Sequence, residues 1–372
     1  MPDDTKKIKS DIFIARTVYP DPESVFTARY KTLDVIKEEC IVVLDTNTLL
    51  VPYTVSKQSL DQIKRTYETL IKEKRLIIPA QVAREFAKNR ASKIMELFDQ
   101  LSKKRNSSSS LKKEEYPLLD ALAEYKSSLA LEDRINEQIK EYRDTLGKVL
   151  DRVRSWTWDD PVSVLYGELF AKGVVRETKI DDEATQEDLH RRQLHKIPPA
   201  YKDSSKLDEG VGDLIIWQTI LDVGSTEKKS VVFVSHDAKP DWWHRSNDQA
   251  LYPRYELIDE FRRHSNGETF HIVQLSRFLD LFGATQLVVD EVKEKESQVQ
   301  EHATTVALEE AERQIIEAFA RSKFLLRSLS GLTKDTGLDK ATCKKILLSL
   351  QERGLVAQKV SKNGIRWSII KQ

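Results

Sequence analysis

Three short apolar runs, Ile41-Val-Val-Leu44, Leu76-Ile-Ile78 and Val231-Val-Phe-Val234, each stop at polar or turn-forming residues, and long helical patterns separate them. Runs without polar alternation suit strands buried on both faces, as in a parallel sheet covered by helices. Phe270-His-Ile-Val-Gln-Leu275 reads as a fourth strand. The resulting β-α-β rhythm predicts an α/β fold around a parallel sheet.

The intervening segments carry their own signals. From Ser56 to Lys74, apolar positions at Leu60, Ile63, Tyr67, Leu70 and Ile71 have helical spacing. Pro79 opens the next helix at a favoured first-turn position. Residues from about 91 to 172 are rich in Glu, Lys, Arg and Leu and read as two or three long inserted helices, punctuated by Arg105-Asn-Ser-Ser-Ser-Ser110. Residues 174–206 read as an extended loop before a helix that begins near Gly212. A loop that long inside a domain is more often functional or disordered than filler. The polar stretch Val289–Gln300 predicts a linker over about 289–302, which divides a body at 1–288 from a module at 303–372. In that module two helices precede a third, capped by Asp339 and ended by Gly354, and Asn363-Gly364 marks a terminal hairpin.

Net charge is +0, but residues 311–372 hold 13 Lys and Arg against 5 Asp and Glu, and the remaining 310 residues hold 47 against 55. An acidic body with a basic tail points to two modules with different partners. No apolar run is long enough for a transmembrane helix. Met1-Pro-Asp-Asp-Thr-Lys6 lacks the apolar stretch of a signal peptide. Cys40 and Cys343 are too far apart in sequence for metal-ligand spacing. These features predict a soluble, cytoplasmic chain with reduced thiols.

Four acids stand at element ends. Asp45 follows the first strand, where α/β sheets place ligands, and Asn47 lies close enough to hold it. Glu85 sits in the helix after the second strand, Asp213 opens the helix after Gly212, and Asp237 follows the third strand in Ser235-His-Asp237. Taken singly, each has an ordinary alternative as a turn, cap or surface residue. Together they would repel unless neutralised, and a hard cation such as Mg²⁺ or Mn²⁺ suits oxygen ligands. No Gly-x-Gly-x-x-Gly or Walker A loop follows the first strand. A phosphatase of the haloacid-dehalogenase type needs a second Asp where Asn47 stands.

The ordered set Leu44-Asp-Thr-Asn47, Val82-Ala-Arg-Glu-Phe86, Gly212-Asp-Leu-Ile-Ile-Trp217 and Ser235-His-Asp237 resembles the PIN domain, over roughly residues 20–285. It is most similar to a bacterial PIN-like branch with a long helical insertion. Pro198-Pro-Ala-Tyr-Lys-Asp203 and Asp237-Ala-Lys-Pro-Asp-Trp-Trp243 match that branch's loop and turn motifs. The resemblance implies a three-layer fold and a metal-dependent endonuclease, with a ribonuclease favoured. Asp45, Glu85, Asp213 and Asp237 would hold Mg²⁺ or Mn²⁺ for phosphodiester hydrolysis of RNA or DNA, with Thr46, Asn47 and Ser235 in support. It also implies a defence or toxin-like setting, with a partner or a homo-oligomer as further expectations. The competing reading is a PIN-like body that no longer cuts and serves as a DNA-binding regulator or assembly subunit.

Around the acids, Lys202, Lys206 and Lys239 are candidates for substrate phosphates, and each alone could equally be a solvated loop lysine. Trp242 or Trp243 could stack on a base, although packing is the commoner fate of an aromatic pair. Asn89 and Arg90 share the Glu85 helix and could orient it or reach a phosphate. The terminal module resembles a winged helix-turn-helix. Lys340, Lys344 and Lys345 would lie on its recognition helix, and Lys359, Lys362 and Arg366 on its wing, facing duplex DNA or a protein partner.

Overall fold

A five-stranded parallel sheet forms the centre of the body, in a computed structural model that describes residues 11–112, 114–170, 173–202, 210–246, 249–322, 324–361 and 364–370. Three single-turn helices, α1 (Ile14–Val18), α2 (Ser24–Thr27) and α3 (Leu33–Ile36), lead into β1 (Ile41–Leu44). Then come α4 (Thr46–Leu50), α5 (Lys57–Lys72), β2 (Leu76–Pro79), α6 (Ala80–Ser107), α7 (Ala123–Arg154), α8 (Pro161–Leu169), β3 (Val175–Arg176), α9 (Asp182–His195), α10 (Val211–Glu227) and β4 (Val231–Val234). The body continues through β5 (Trp243–Ser246), β6 (Gln249–Pro253), α11 (Tyr255–His264), β7 (Phe270–Val273) and α12 (Leu275–Leu281), and α13 (Gln286–Arg321) follows.

All residues of β1 and β4 are buried, as unbroken apolar runs require of central strands. The first three strands advance to one side of β1. The chain then returns, places β4 on the other side of β1, and adds β7 beyond it. Right-handed crossovers in opposite directions put helices on opposite faces. Tyr67 of α5 packs against Phe278 of α12, and Phe261 of α11 and Trp217 of α10 pack against Phe270 of β7. Burying each such side chain contributes roughly 1.5–3 kcal/mol. Gly224 lets α10 and α11 approach closely, since a Cβ there would lie 2.6 Å from the Phe261 ring.

The expected α/β class and the three-layer arrangement are observed, with three differences in detail. Residues 174–206 are not one extended loop: Val175–Arg176 pairs with Ile78 and Pro79 as the edge strand β3, and Asp182–His195 is helical. Asp181 caps α9 by accepting from the Ala184 N–H, a cap that the polar composition concealed. The expected linker at 289–302 is helical, inside α13, and the division into two compact units falls between residues 293 and 294. Val289, Val292 and Glu296 are buried along this stretch, so its polar composition belongs to a helix rather than to irregular chain. Pro79 ends β2 and precedes α6 instead of occupying its first turn.

The second unit, residues 294–372, contains the end of α13, β8 (Arg327–Ser328), α14 (Leu329–Thr336), α15 (Lys340–Glu352), β9 (Val356–Ser361) and β10 (Gly364–Ile369). Its three strands are antiparallel in the order β8-β10-β9. Ala311, Ile315 and Phe319 of α13 form a core with Leu332, Cys343, Ile346, Leu347, Leu350, Val356 and Trp367. Asp339 caps α15 through the Ala341 and Thr342 N–H groups, as its sequence position predicts. Both cysteines are free and buried. No helix among the described residues is long and apolar enough to cross a membrane.

Candidate active site

The chain reverses its direction of sheet growth between β1 and β4, so their C-terminal ends meet at a topological switch point, where α/β sheets place ligands. Asp45 leaves β1 there and caps α4, while Ser235, His236 and Asp237 leave β4. Asp45 is 9 % exposed as a residue, and its carboxylate is held on both oxygens. Oδ1 accepts from the Thr46 N–H at 2.7 Å, and Oδ2 accepts from the Ser235 hydroxyl at 2.6 Å and the Asn47 amide at 2.7 Å. Ser235 Oγ also accepts from the Asp237 N–H, and Asn47 Oδ1 from the His236 N–H, so the two strand ends are tied together. The supporting positions expected at Asn47 and Ser235 therefore bond directly to Asp45.

Glu85 enters from the second turn of α6. Its Oε2 accepts from the Thr46 hydroxyl at 2.7 Å and its Oε1 from Gln81 Nε2 at 3.0 Å. Gln81 was not among the candidates, although its place four residues before Glu85 on one helix face was readable. Gly212 makes room for Glu85, because a Cβ there would sit 2.5 Å from Oε1. Asp213 follows in the first turn of α10, and Lys239 Nζ lies 3.1 Å from its Oδ2 and 2.8 Å from Asp237 Oδ2. All four acids thus come from elements converging on one edge. Burial pushes the Asp45 carboxyl up to about 6; the Ser235 and Thr46 hydrogen bonds oppose this, and the Asp237 and Glu85 carboxylates add to it.

The loop at Pro198–Tyr201 acts as a brace for the Asp237 turn. Its Ala200 N–H donates to the buried Asp241 carboxylate, and the Tyr201 hydroxyl donates to the Pro240 carbonyl. Arg192 of α9 donates to the Pro198 carbonyl and pairs with Glu260 of α11, which also accepts from the Trp217 indole. Sequence spacing gives no sign of this chain of contacts, since its members come from α9, α10, α11, the loop and the turn.

Several expected contacts fall elsewhere. Arg90 is buried and bonded to Asp160 and Ser163 of the α8 start, with Trp158 against its guanidinium, so it cannot reach a substrate. Trp242 is 2 % exposed, packed against Phe233 and Trp217, and presents no stacking face. Trp243 is half-buried and donates its indole N–H to the Asp237 carbonyl. Asn89 is half-buried on α6, where Gln81 and Thr46, not Asn89, hold Glu85. Lys202 is exposed. Lys206 and Lys362 lie outside the described residues. In the second unit Lys340, Lys344 and Lys345 are exposed on α15, and Lys359 lies across from Arg366 in the hairpin.

The donor chemistry at the edge is that of a hard cation, since every candidate ligand is a carboxylate oxygen. Among the described residues no three His, Cys, Asp or Glu side chains are drawn together closely enough to hold a metal as they stand. Lys239 stands between two of the acids, and hydroxyl and amide donors hold the other two.

An α/β sheet with four acids at its switch point, one of them buried, defines the class. A family model described as PIN like domain matches residues 41–257, more than half of the chain, and the chain belongs to that family. Comparison with curated proteins and with solved structures gives no match.

Proposed function

We propose that this PIN-like protein is a metal-dependent endonuclease that hydrolyses phosphodiester bonds of RNA or DNA at the edge formed by Asp45, Glu85, Asp213 and Asp237. The observation that carries the reading is the shared hydrogen-bond frame of Thr46 and Ser235, which holds the Asp45 and Glu85 carboxylates beside the turn that carries Asp237. PIN-like domains are often nucleases and generally use divalent metals, which agrees with the oxygen-only donor set. A bound Mg²⁺ or Mn²⁺ would offset the clustered charge and activate a water for attack on the phosphodiester. The chain's own residues supply preorganisation. Asp45 is fixed on both oxygens, Glu85 is held by Gln81 and Thr46, and the Asp237 turn is braced by the Pro198–Tyr201 loop. We read the second unit as a winged helix-turn-helix that brings duplex DNA or a protein to the enzyme through Lys340, Lys344, Lys345 and Arg366.

A non-cutting regulator is the second reading, favoured by one observation: a lysine ammonium stands between two of the acids. One assay separates them. Purified chain is incubated with RNA, single-stranded DNA and duplex DNA, with Mn²⁺ or with EDTA, beside Asp45→Asn. Mn²⁺-dependent cleavage that Asp45→Asn loses by about 10³-fold, several kcal/mol of barrier, supports the enzyme. Equal cleavage by both proteins, or none on any substrate, removes it.

A further inference from the structure

We infer that Lys239 is the resident counter-cation of the acidic edge, a positioning residue that holds Asp213 and Asp237 together in the metal-free chain and gives way when a divalent cation loads. This rests on the reading of the four acids as a metal site. The Lys239 ammonium lies 2.8 Å from Asp237 Oδ2 and 3.1 Å from Asp213 Oδ2. Those acids belong to different elements, the turn after β4 and the first turn of α10, so the lysine ties together two elements that carry candidate metal ligands.

The backbone of the turn is fixed. The Lys239 N–H donates to Asp237 Oδ1, and its carbonyl accepts from the Trp242 and Trp243 N–H groups. The Pro240 carbonyl accepts from Tyr201 and from Arg254 Nε, and Asp241 accepts from Ala200. Only the four-carbon side chain has to move. It is 32 % exposed, so a path to solvent is open, and a partly exposed lysine changes rotamer rapidly.

Occupancy is exclusive for an electrostatic reason. An ammonium and a divalent cation bound to the same two oxygens would sit within a few ångströms of each other and repel strongly. The lysine contributes one positive charge and donates from a single point. A divalent ion contributes two and can gather oxygens from Asp45 and Glu85 as well. Lys239 therefore keeps two acids in place while the metal is absent and raises the metal concentration needed to fill the site. A lysine with a purely structural role would have the opposite signature, because its loss would scatter the acids and weaken metal binding.

The test uses the full chain stripped with EDTA and titrated with Mn²⁺ in a calorimeter, with thermal unfolding recorded with and without Mn²⁺. Lys239→Met is expected to bind Mn²⁺ about tenfold more tightly than the wild type, to melt lower when metal-free, and to regain the difference when loaded. Lys239→Gln, which can still donate to one carboxylate, should show the same tightening and serves if the methionine variant does not fold. Lys239→Arg, which keeps the charge, should stay near wild-type affinity. Unchanged or weaker Mn²⁺ binding in the folded neutral variants overturns the inference, as does a complete lack of Mn²⁺ binding in every protein. Asp45→Asn separates the two levels. If it binds Mn²⁺ as tightly as the wild type, the reading of the four acids fails. If it loses Mn²⁺ while Lys239→Met matches the wild type, the counter-cation role alone fails.

Discussion

At the contact between α6 and α8, Arg90 is buried against Asp160, with Ser163 accepting a further bond and Trp158 covering the guanidinium. At the β1–β4 edge, about a turn and a half back along the same α6, Glu85 joins three other carboxylates, two of which lie beside Lys239. Carboxylates meet cations in both places, and the charge balance differs. Burial alone would raise the Asp160 carboxyl, but hydrogen bonds from Ser163 and Arg90 outweigh it and hold the group below its ordinary range. Asp45 is pushed up to about 6 by burial, despite three hydrogen bonds, with neighbouring acids adding to the shift. A matched pair locks two helices, whereas an unmatched acidic cluster keeps the capacity to take up a cation. Burial beside other carboxylates raises the Asp45 carboxyl, a perturbation of the kind that functional sites concentrate.

The comparison breaks most visibly at its acidic pole. Besides losing cleavage, Asp45→Asn should change unfolding stability by no more than about 1 kcal/mol, because relief of buried like charge offsets a weakened hydrogen bond. Urea unfolding of the metal-free protein checks this, and a large loss of stability would make Asp45 structural. Arg90→Ala should do the reverse. It strands a buried carboxylate and costs roughly 3–5 kcal/mol, while the folded fraction, measured by active-site titration with Mn²⁺, retains normal turnover. Loss of turnover at full stability would return Arg90 to the site.

Smaller changes sharpen the same contrast. In Gly212→Ala the new methyl displaces the Glu85 carboxylate, with an expected fall in cleavage of about tenfold, on the order of 1.4 kcal/mol. Stability should hold, because alanine favours the helix and the displaced group is a flexible side-chain end. An unaltered rate would show that Glu85 contributes little where it now lies. In the second unit, Lys344→Ala should leave cleavage of short substrates untouched. If α15 meets duplex phosphate, it should lower the salt slope of duplex binding by about one unit. An unchanged slope would favour a protein partner for that surface.

Much of this site was legible before any geometry. Asp45 stands directly after one apolar run that reads as a buried strand, Asp237 follows another beyond Ser235 and His236, and Glu85 and Asp213 stand early in the helices that follow. Local rules also found the Asp339 cap and the Ser56 start of α5, since caps depend on residues three or four positions apart. Local rules missed α9 and β3. A two-residue edge strand carries almost no pattern, and α9 is too polar to show a continuous apolar face. They also offered Arg90 and Trp242 to a substrate when both belong to the core.

From the sequence alone came the α/β class, the placement of four acids at strand and helix ends, and the hard-oxygen character of any ligand they hold. These depend on residue type and short spacing, which the chain states outright. Only the tertiary structure decided which charges meet. Arg90 finds Asp160 across 70 residues, and Lys239 finds Asp213 across 26. The sequence lists the cations near the acids, but the packing of α8 and α10 determines that one arginine is neutralised in the core and one lysine is left between two carboxylates at the edge. Side-chain pairing over such separations is set by where whole elements dock, and docking is driven by buried apolar area that is indifferent to the charges it brings together.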